Sequence, residues 1–170
     1  IAVVAVIFGY MGYKQFVVAP QEKEAANALA FAKQEFTKAT KAEDTSLYTV
    51  ALEGAEGKYG LTDVAKNFGG TDAGNLAKYY AGISHLKLEQ YDEAINYLKD
   101  VNVSDAVLNT VIKGSIGDAY LAKGNTQEAL SYFSDAAKAT TNSAVAPVYL
   151  LKAGKVALEL KDFGTAENFF

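Results

Sequence analysis

The sequence predicts an all-α protein in which a short apolar helix precedes a series of helical hairpins. Half of the 170 residues are apolar and only two are proline, which suits an ordered helical chain. A pattern of small and aromatic residues occurs three times, with the spacing of two amphipathic helices joined by a turn. The chain also opens with thirteen residues that carry no charge. These observations favour an N-terminal transmembrane helix followed by a helical repeat domain.

Residues 1–19, IAVVAVIFGYMGYKQFVVA, resemble the C-terminal part of a transmembrane helix. Thirteen helical residues span about 20 Å, which is less than the hydrocarbon core of about 30 Å. Because the chain begins at Ile1 rather than Met, we expect the apolar run to begin earlier. Tyr10, Tyr13 and Lys14 resemble the aromatic and basic belt at a membrane interface. A signal peptide and a buried helix are the alternatives.

Four small residues of this stretch share one helical face: Ala2, Ala5, Gly9 and Gly12. Such a stripe lets a transmembrane helix pack closely against a partner helix. The alternative is that alanine and glycine are simply common in such helices.

Residues 20–70 predict an irregular helical module that caps the repeats. Pro20 fits the first turn of a helix, and apolar residues at helical spacing extend that helix to about residue 42. A short helix ending near Leu52, the turn-rich loop 54–60 and another short helix follow. End modules of repeat arrays are commonly irregular.

Residues 71–170 carry the repeated pattern, in units at about 72–103, 104–142 and 143–170, the last one truncated. In each unit a glycine is followed twelve residues later by an alanine and sixteen residues later by a bulky apolar residue: Gly82, Ala94 and Leu98; Gly117, Ala129 and Phe133; Gly154, Ala166 and Phe170. Small residues let two helices approach, and the bulky residue fills the space between them. The steps of 35 and 37 residues resemble the tetratricopeptide (TPR) repeat, which implies a right-handed solenoid of helical hairpins.

In a TPR array the first helix of each hairpin lines an inner groove. The resemblance implies these groove residues: Leu76, Tyr79, Ile83 and Leu86 in the first unit; Val111, Gly114, Asp118 and Leu121 in the second; Val148, Leu151, Lys155 and Leu158 in the third. A mostly apolar lining suits an extended hydrophobic peptide or a partner helix. A clamp for an acidic chaperone tail is disfavoured, because the chain has no arginine. The alternative is that neighbouring helices bury these residues.

The sequence shows no constellation for catalysis or for metal binding. The absence of cysteine excludes thiolate nucleophiles and Cys-type zinc sites. His85, the only histidine, occupies the position that Tyr120 has in the next unit, so we expect it to serve in packing. An enzyme that uses His85 is the alternative. A net charge of −4 disfavours a nucleic-acid partner. We therefore expect a binding protein that has no cofactor and no enzymatic activity.

The segment NFGGTDAGNLAKYYAG, residues 67–82, resembles a run common in bacterial envelope TPR proteins. With the apolar start and the irregular first module, the chain is similar to the YfgM-like family of ancillary SecYEG translocon subunits. The resemblance implies a single-pass protein of the bacterial inner membrane with a periplasmic TPR domain. Its implied partners are translocon subunits, periplasmic chaperones and exported polypeptides. An adaptor of another envelope machine, for secretion, outer-membrane assembly or cell-wall assembly, is one alternative. A cytosolic adaptor anchored at the membrane is another.

Overall fold

The computed structural model describes residues 2–170, apart from the side chains of residues 2–5 and of Phe8. The predicted all-α class is confirmed, since the regular structure of this part is helical except for two strands of two residues each. The chain divides into two compact units, one up to Tyr80 and one from Ala81 onward. Each unit has its own packed helices.

The first unit begins with one continuous helical stretch. Helix α1 spans Ala2–Tyr13, a π-helical segment spans Lys14–Val18, and α2 continues over Ala19–Ala42. Pro20, which has no backbone N–H to donate, lies in the first turn of α2, directly after the π-helical segment. Glu43, in the left-handed conformation, ends α2.

Among the described residues, no helix combines the length and the apolar character that crossing a membrane requires. Helix α1 has twelve residues, a length of about 18 Å against a hydrocarbon core of about 30 Å. The helical stretch beyond it carries Lys14 and then the charged residues of α2. The predicted localisation, a single-pass protein of the bacterial inner membrane with a periplasmic TPR domain, is therefore wrong.

The predicted small-residue stripe on α1 is described only in part. The side chains of Ala2 and Ala5 lie outside the described residues. A Cβ added at Gly9 or Gly12 would meet no described atom within 4 Å. The described half of the stripe therefore contacts no neighbouring helix within the chain.

The remainder of the first unit packs on α2. Helix α3 spans Ser46–Glu53, strands β1 (Gly54–Ala55) and β2 (Lys58–Tyr59) pair antiparallel, and α4 spans Leu61–Asn67. The core that these elements share includes small and branched apolar side chains together with two aromatic rings: Ala25, Leu29, Ala32, Tyr48, Ala51, Leu52, Leu61, Val64 and Phe68. The loop predicted over 54–60 is thus a tight hairpin, whose two turn residues, Glu56 and Gly57, adopt positive φ values of 54° and 75°.

Helix α5, Asp72–Lys87, begins in the first unit and ends in the second. Both carboxylate oxygens of Glu22 lie 3.1 Å from the backbone N of Asp72 and accept its hydrogen bond. The Thr71 hydroxyl accepts a hydrogen bond from the N–H of Gly74 at 2.9 Å. These acceptors satisfy N–H groups that the first turn of a helix leaves unpaired.

From α6 onward, each helix of the second unit packs on the next along the chain. After α5, the helices are α6 (Tyr91–Lys99), α7 (Ala106–Ala122), α8 (Thr126–Lys138), α9 (Ala146–Glu159) and α10 (Phe163–Phe169). The pairs α7/α8 and α9/α10 form two helical hairpins, which we call the second and third hairpins. The end of α5 contacts α6 through Gly82 with Leu98 and through His85 with Tyr97.

One contact recurs in all three pairs, where a glycine lies against the side chain sixteen residues later. The three contacts are Gly82 with Leu98, Gly117 with Phe133 and Gly154 with Phe170, and a Cβ on each glycine would come within 2.5, 2.7 and 2.6 Å of its partner. Real Cβ atoms do not approach other atoms so closely, so the glycines allow the helices to pack at this distance. The small residues of the pattern therefore act where the paired helices meet.

Each turn between paired helices contains one residue in the left-handed conformation. These residues are Glu89, Gly124 and Lys161, with φ of 60°, 79° and 59°. A residue with a Cβ is disfavoured in this conformation by about 1–2 kcal/mol. Only the turn of the second hairpin has glycine at this position.

Candidate functional site

Helices α7 and α9, the first helices of the second and third hairpins, meet through two side chains of α9. The ring of Tyr149 lies over Gly114, where a Cβ would overlap the ring. Nζ of Lys152 donates hydrogen bonds to the two carboxylate oxygens of Asp118 at 2.6 and 2.8 Å. We call these four residues the α7–α9 joint.

The basic side chain of the joint also contacts aromatic rings. Nζ of Lys152 lies 5.3 Å from the ring centroid of Phe133 and 5.8 Å from that of Tyr149. Both distances are within the range of a cation–π interaction. Lys152 therefore makes contact with both helices of the second hairpin.

A cleft of about 150 Å³ lies beside the joint. Residues of both hairpins line it: Asp118, Leu121, Phe133, Lys152, Lys155, Val156 and Glu159. Three of them, Asp118, Leu121 and Lys155, belong to the predicted groove, so the structure brings these three together. Because ligand pockets commonly measure about 300–1,000 Å³, this cleft by itself holds a side chain rather than a peptide.

The predicted groove residues of α5 fall in different units. Leu76 belongs to the first unit, in a hollow of about 390 Å³ between α2 and the start of α5. Tyr79, also in the first unit, is half-buried, and its burial together with the neighbouring Tyr80 raises the pKa of its hydroxyl. Ile83 and Leu86 are half-buried in the second unit.

The predicted groove residues of α9 are exposed. Val148, Leu151 and Leu158 keep 45% to 49% of their surface accessible, and Lys155 is exposed beside them. Successive offsets of three, four and three residues place these four side chains on one side of the helix. We call this surface the α9 face.

The α9 face corresponds in position to the surface that α9 covers on α7. At the 37-residue step, Leu151 stands where α7 has Gly114, and Lys155 stands where α7 has Asp118. The surface on α7 is covered by Tyr149 and Lys152. The equivalent surface on α9 is exposed in the described chain.

His85 takes part in packing within the second unit. Its Nδ1 lies 2.7 Å from Oε1 of Gln90, and its ring stacks on Tyr97 with centroids 5.2 Å apart. Tyr120, which occupies the equivalent position in the second hairpin, stacks on Tyr132 in the same way. In the described part of the chain, no group of three or more His, Cys, Asp or Glu residues is placed to hold a metal ion.

A second contact between hairpins, which the sequence pattern did not indicate, involves Lys99 at the end of α6. Its Nζ donates a hydrogen bond to the Tyr120 hydroxyl at 2.9 Å. The same Nζ lies 5.3 Å from the ring centroid of Tyr120 and 5.7 Å from that of Tyr132. The hydrogen bond to Tyr120 is the main cause that raises the pKa of Lys99. Lysines are common at helix ends, so the sequence offered no distinctive signal.

Comparison of the chain with protein-family models finds no matching family, and comparison with curated proteins finds no match. The resemblances to TPR repeats and to YfgM-like subunits therefore stay predictions, which only the sequence pattern supports.

Proposed function

We propose that the chain is a scaffold of TPR-type helical hairpins, arranged as a right-handed solenoid, that binds another protein. The single observation that carries this proposal is the exposed α9 face. Apolar side chains exposed along one side of a regular helix, here Val148, Leu151 and Leu158 beside Lys155, are characteristic of surfaces that bind other proteins. The surface is also formed by a regular helix, Ala146–Glu159.

The repeated contacts within the second unit support the architecture that we propose. The same glycine contact occurs in three successive helix pairs, and a left-handed residue occurs in each turn. Such a series is expected of a solenoid, in which every unit has the same internal packing and contacts its neighbours. A TPR-type array is the arrangement that the repeat length also favours.

The proposal includes no catalytic role and no cofactor. His85, the residue on which an enzyme hypothesis depends, has its ring stacked on Tyr97 and its Nδ1 beside Gln90. These contacts support a packing role for the histidine. The partner classes that the resemblance implies, translocon subunits, chaperones or exported polypeptides, stay predictions, as does an adaptor role in another protein machine.

Site-specific crosslinking in the source cells tests the proposal. A photoreactive amino acid replaces Leu151 or Leu158 in the full-length protein, and a matched control replaces Asp135, which is exposed on α8. We expect the two α9 positions to give the same discrete adduct with one protein and the control to give none. Adducts that are absent from both α9 positions, or that are identical at all three positions, would contradict a binding surface on α9.

A further inference from the structure

We infer that the exposed side of α2 binds an extended acidic peptide, in a groove that lies wholly within the first unit. This groove is separate from the α9 face, so the inference goes beyond the proposed function. Its floor is one stripe of α2, with offsets of three and four residues, which we call the α2 groove: Asn27, Ala30, Gln34, Thr37 and Lys41.

Two adjoining hollows form the α2 groove. The first, of about 600 Å³, lies between α2 and the β-hairpin, and the second, of about 420 Å³, continues along α2 toward its end. Both are lined by Ala30 and Gln34, and the first has a volume typical of ligand pockets. Helix α1 and the π-helical segment continue α2 as one helical stretch and line neither hollow. The groove is therefore bordered by elements of its own unit.

The β-hairpin forms one wall of the α2 groove. Nζ of Lys58 lies 4.9 Å from the ring centroid of Phe31 on α2, within the range of a cation–π interaction. The ring of Tyr59 packs edge-on against the buried Phe68, with centroids 6.4 Å apart, yet 47% of the Tyr59 surface is accessible. The wall thus contacts both α2 and the core, and it exposes an aromatic ring against which a ligand side chain can pack.

The side-chain amides of Asn27 and Gln34 favour a peptide main chain as the ligand. Both are exposed, and neither makes a hydrogen bond within the part of the chain that the structure describes. Each amide can donate to a carbonyl and accept from an N–H. Seven helical residues span about 10.5 Å, and about three residues of an extended chain span the same distance. The two amides can therefore bind main-chain groups at both ends of one tripeptide.

The polar character of the same stripe disfavours a partner helix. A helix uses most of its N–H and C=O groups internally, so it offers few main-chain partners to the two amides. The stripe also has only Ala30 as an apolar residue, whereas an amphipathic helix is held by several large apolar contacts. An extended chain keeps its main-chain groups available for the amides.

The second hollow determines the charge of the ligand. Its lining residues include Lys33, Lys38 and Lys41 but no carboxylate. Lys38 forms a salt bridge with Glu35 at 2.6 Å, whereas Lys33 and Lys41 form none with any described residue. Carboxylates of the peptide are the groups that complement these two lysines.

The distribution of charge disfavours a nucleic acid as the ligand. The first hollow is lined by Glu24 as well as Lys58, so the basic surface is confined to the second hollow. The chain has a net charge of −4 and no arginine. Nucleic acids are bound by longer basic surfaces that contact many phosphates. A short acidic peptide matches the observed surface better.

Peptide binding to the intact 170-residue chain tests the inference. The probe is a fluorescein-labelled decapeptide of alternating aspartate and serine. One control peptide has lysine in place of aspartate, and a second has methylated nitrogens at its central amides, which removes main-chain donors but keeps the charge. We expect saturable binding of the probe by fluorescence anisotropy at low salt, at least about fivefold tighter than the methylated peptide. The lysine peptide should not bind.

Variants of the two lysines test the charge of the ligand. Lys33→Gln combined with Lys41→Gln should weaken binding of the probe at least about fivefold at low salt, and by less at high salt. The matched control is Lys66→Gln, which removes an exposed lysine of α4 outside the groove and should leave binding unchanged. Equal losses in the double variant and in the control would mean that net charge alone attracts the peptide.

Variants of the two amides test recognition of the main chain. Asn27→Ala combined with Gln34→Ala should abolish the preference for the probe over the methylated peptide, because the hydrogen-bonding groups are removed. Gln127→Ala, at an exposed amide of α8, should retain the preference. All of these positions are exposed, and an unchanged thermal melt confirms that each variant folds.

Several outcomes would overturn the inference. They are an absence of saturable binding up to about 1 mM probe, equal affinity for the methylated peptide, and tighter binding of a single-stranded oligothymidylate that displaces the probe. Leu151→Glu, on the α9 face, should leave binding of the probe unchanged. A loss of binding in that variant would place the peptide on the α9 face instead. The crosslinking experiment on α9 tests the scaffold proposal independently of these results.

Discussion

The second and third hairpins have the same internal packing but different surroundings. Phe133 and Phe170 both contact the glycine sixteen residues before them, yet Phe133 is completely buried and Phe170 is 69% exposed. The difference arises because α9 packs on α8 and covers Phe133, while Phe170 lies at the uncovered end of the described array. Equivalent residues therefore contribute differently to stability, depending on whether the next hairpin is present.

The surfaces of α7 and α9 show the same contrast. Gly114 lies beneath an aromatic ring, whereas its counterpart Leu151 is half exposed. Asp118 is held by Lys152, whereas Lys155 is exposed. A surface that another helix covers on α7 is thus exposed on α9 in the described chain. Matched substitutions at equivalent positions of the two hairpins test this difference.

The largest effect is expected for the pair Phe133 and Phe170. Phe133→Ala removes a fully buried ring and should lower the free energy of unfolding by about 3–5 kcal/mol. Phe170→Ala, at an exposed ring, should lower it by less than about 1 kcal/mol. Urea unfolding followed by circular dichroism measures both variants. Similar losses for the two would show that the third hairpin is as well packed as the second.

The next effect concerns Gly114 and Leu151. Gly114→Leu places a side chain where Tyr149 lies and should cost about 1–3 kcal/mol through overpacking. Leu151→Ala should change stability by less than about 0.5 kcal/mol, because the side chain is half exposed. Differential scanning calorimetry measures the change in melting temperature of both variants. An unchanged melt for Gly114→Leu would mean that α9 does not lie against α7 as described.

Substitutions in the turns of the second and third hairpins are expected to change the free energy of unfolding in opposite directions. Gly124→Ala introduces a Cβ at a φ of 79° and should cost about 1 kcal/mol. Lys161→Gly removes the Cβ from the equivalent turn residue, which has a φ of 59°, and so relieves its backbone strain. This variant should stabilise the chain by a few tenths of a kcal/mol to about 1 kcal/mol. Chemical denaturation of both variants checks the signs. Destabilisation by Lys161→Gly would contradict strain at this turn.

A smaller effect is expected for Asp118 and Lys155. The Asp118–Lys152 pair is partly exposed, with 40% and 37% of the side chains accessible, so Asp118→Asn should cost about 0.2–1 kcal/mol. Salt screening should reduce that loss at high ionic strength. Lys155→Gln should be neutral in the isolated chain, since no salt bridge is lost. A loss that is insensitive to salt would indicate that packing of Lys152, rather than its charge, holds the joint.

The smallest effect is expected for the N-cap residues of α8 and α10, Asn125 and Asp162. Only Asp162 should make the stability of the chain depend on pH. Asp162 accepts a hydrogen bond from the N–H of Thr165 at 3.0 Å, whereas Asn125 makes no side-chain cap. Hydrogen bonds from the side chain and backbone of Thr165 lower the pKa of Asp162 below its usual 3.8.

A lowered pKa gives a contribution to stability that is present above the unfolded value and is lost as the pH falls through the folded value. Asp162→Asn should therefore flatten the stability curve below about pH 4. Thermal melts between about pH 2 and 6 compare the variant with Asn125→Ser, which should keep the original curve. Identical acid profiles for Asp162→Asn and the unsubstituted chain would exclude a role for this cap.

Several local features could be predicted from the sequence. The spacing from Gly117 to Phe133 indicates two helices in close contact, and the structure places these residues against each other. The N-cap of α7, where the Asp105 carboxylate accepts a hydrogen bond from the N–H of Leu108 at 2.7 Å, is likewise a local property of the chain. Residues within one hairpin are near in sequence, so periodicity is enough to indicate their contacts.

The apolar start shows where a composition argument fails. An uncharged run favours a membrane span, but among the described residues no helix is both long enough and apolar enough to cross a membrane. The β-hairpin at Gly54–Tyr59 was also missed, because its two-residue strands are too short to show an alternating pattern.

By itself, the sequence determined the helical class, the pairing of neighbouring helices and the glycines at which they meet. Only the tertiary structure decided which faces are covered. Gly114 and Leu151 hold equivalent positions in the pattern, yet one lies beneath Tyr149 and the other remains accessible. Helical periodicity depends on residues three or four apart, whereas burial depends on which more distant helix lies alongside. The sequence of one hairpin does not show which helix lies beside it. Which of its faces are buried is therefore known only from the tertiary structure.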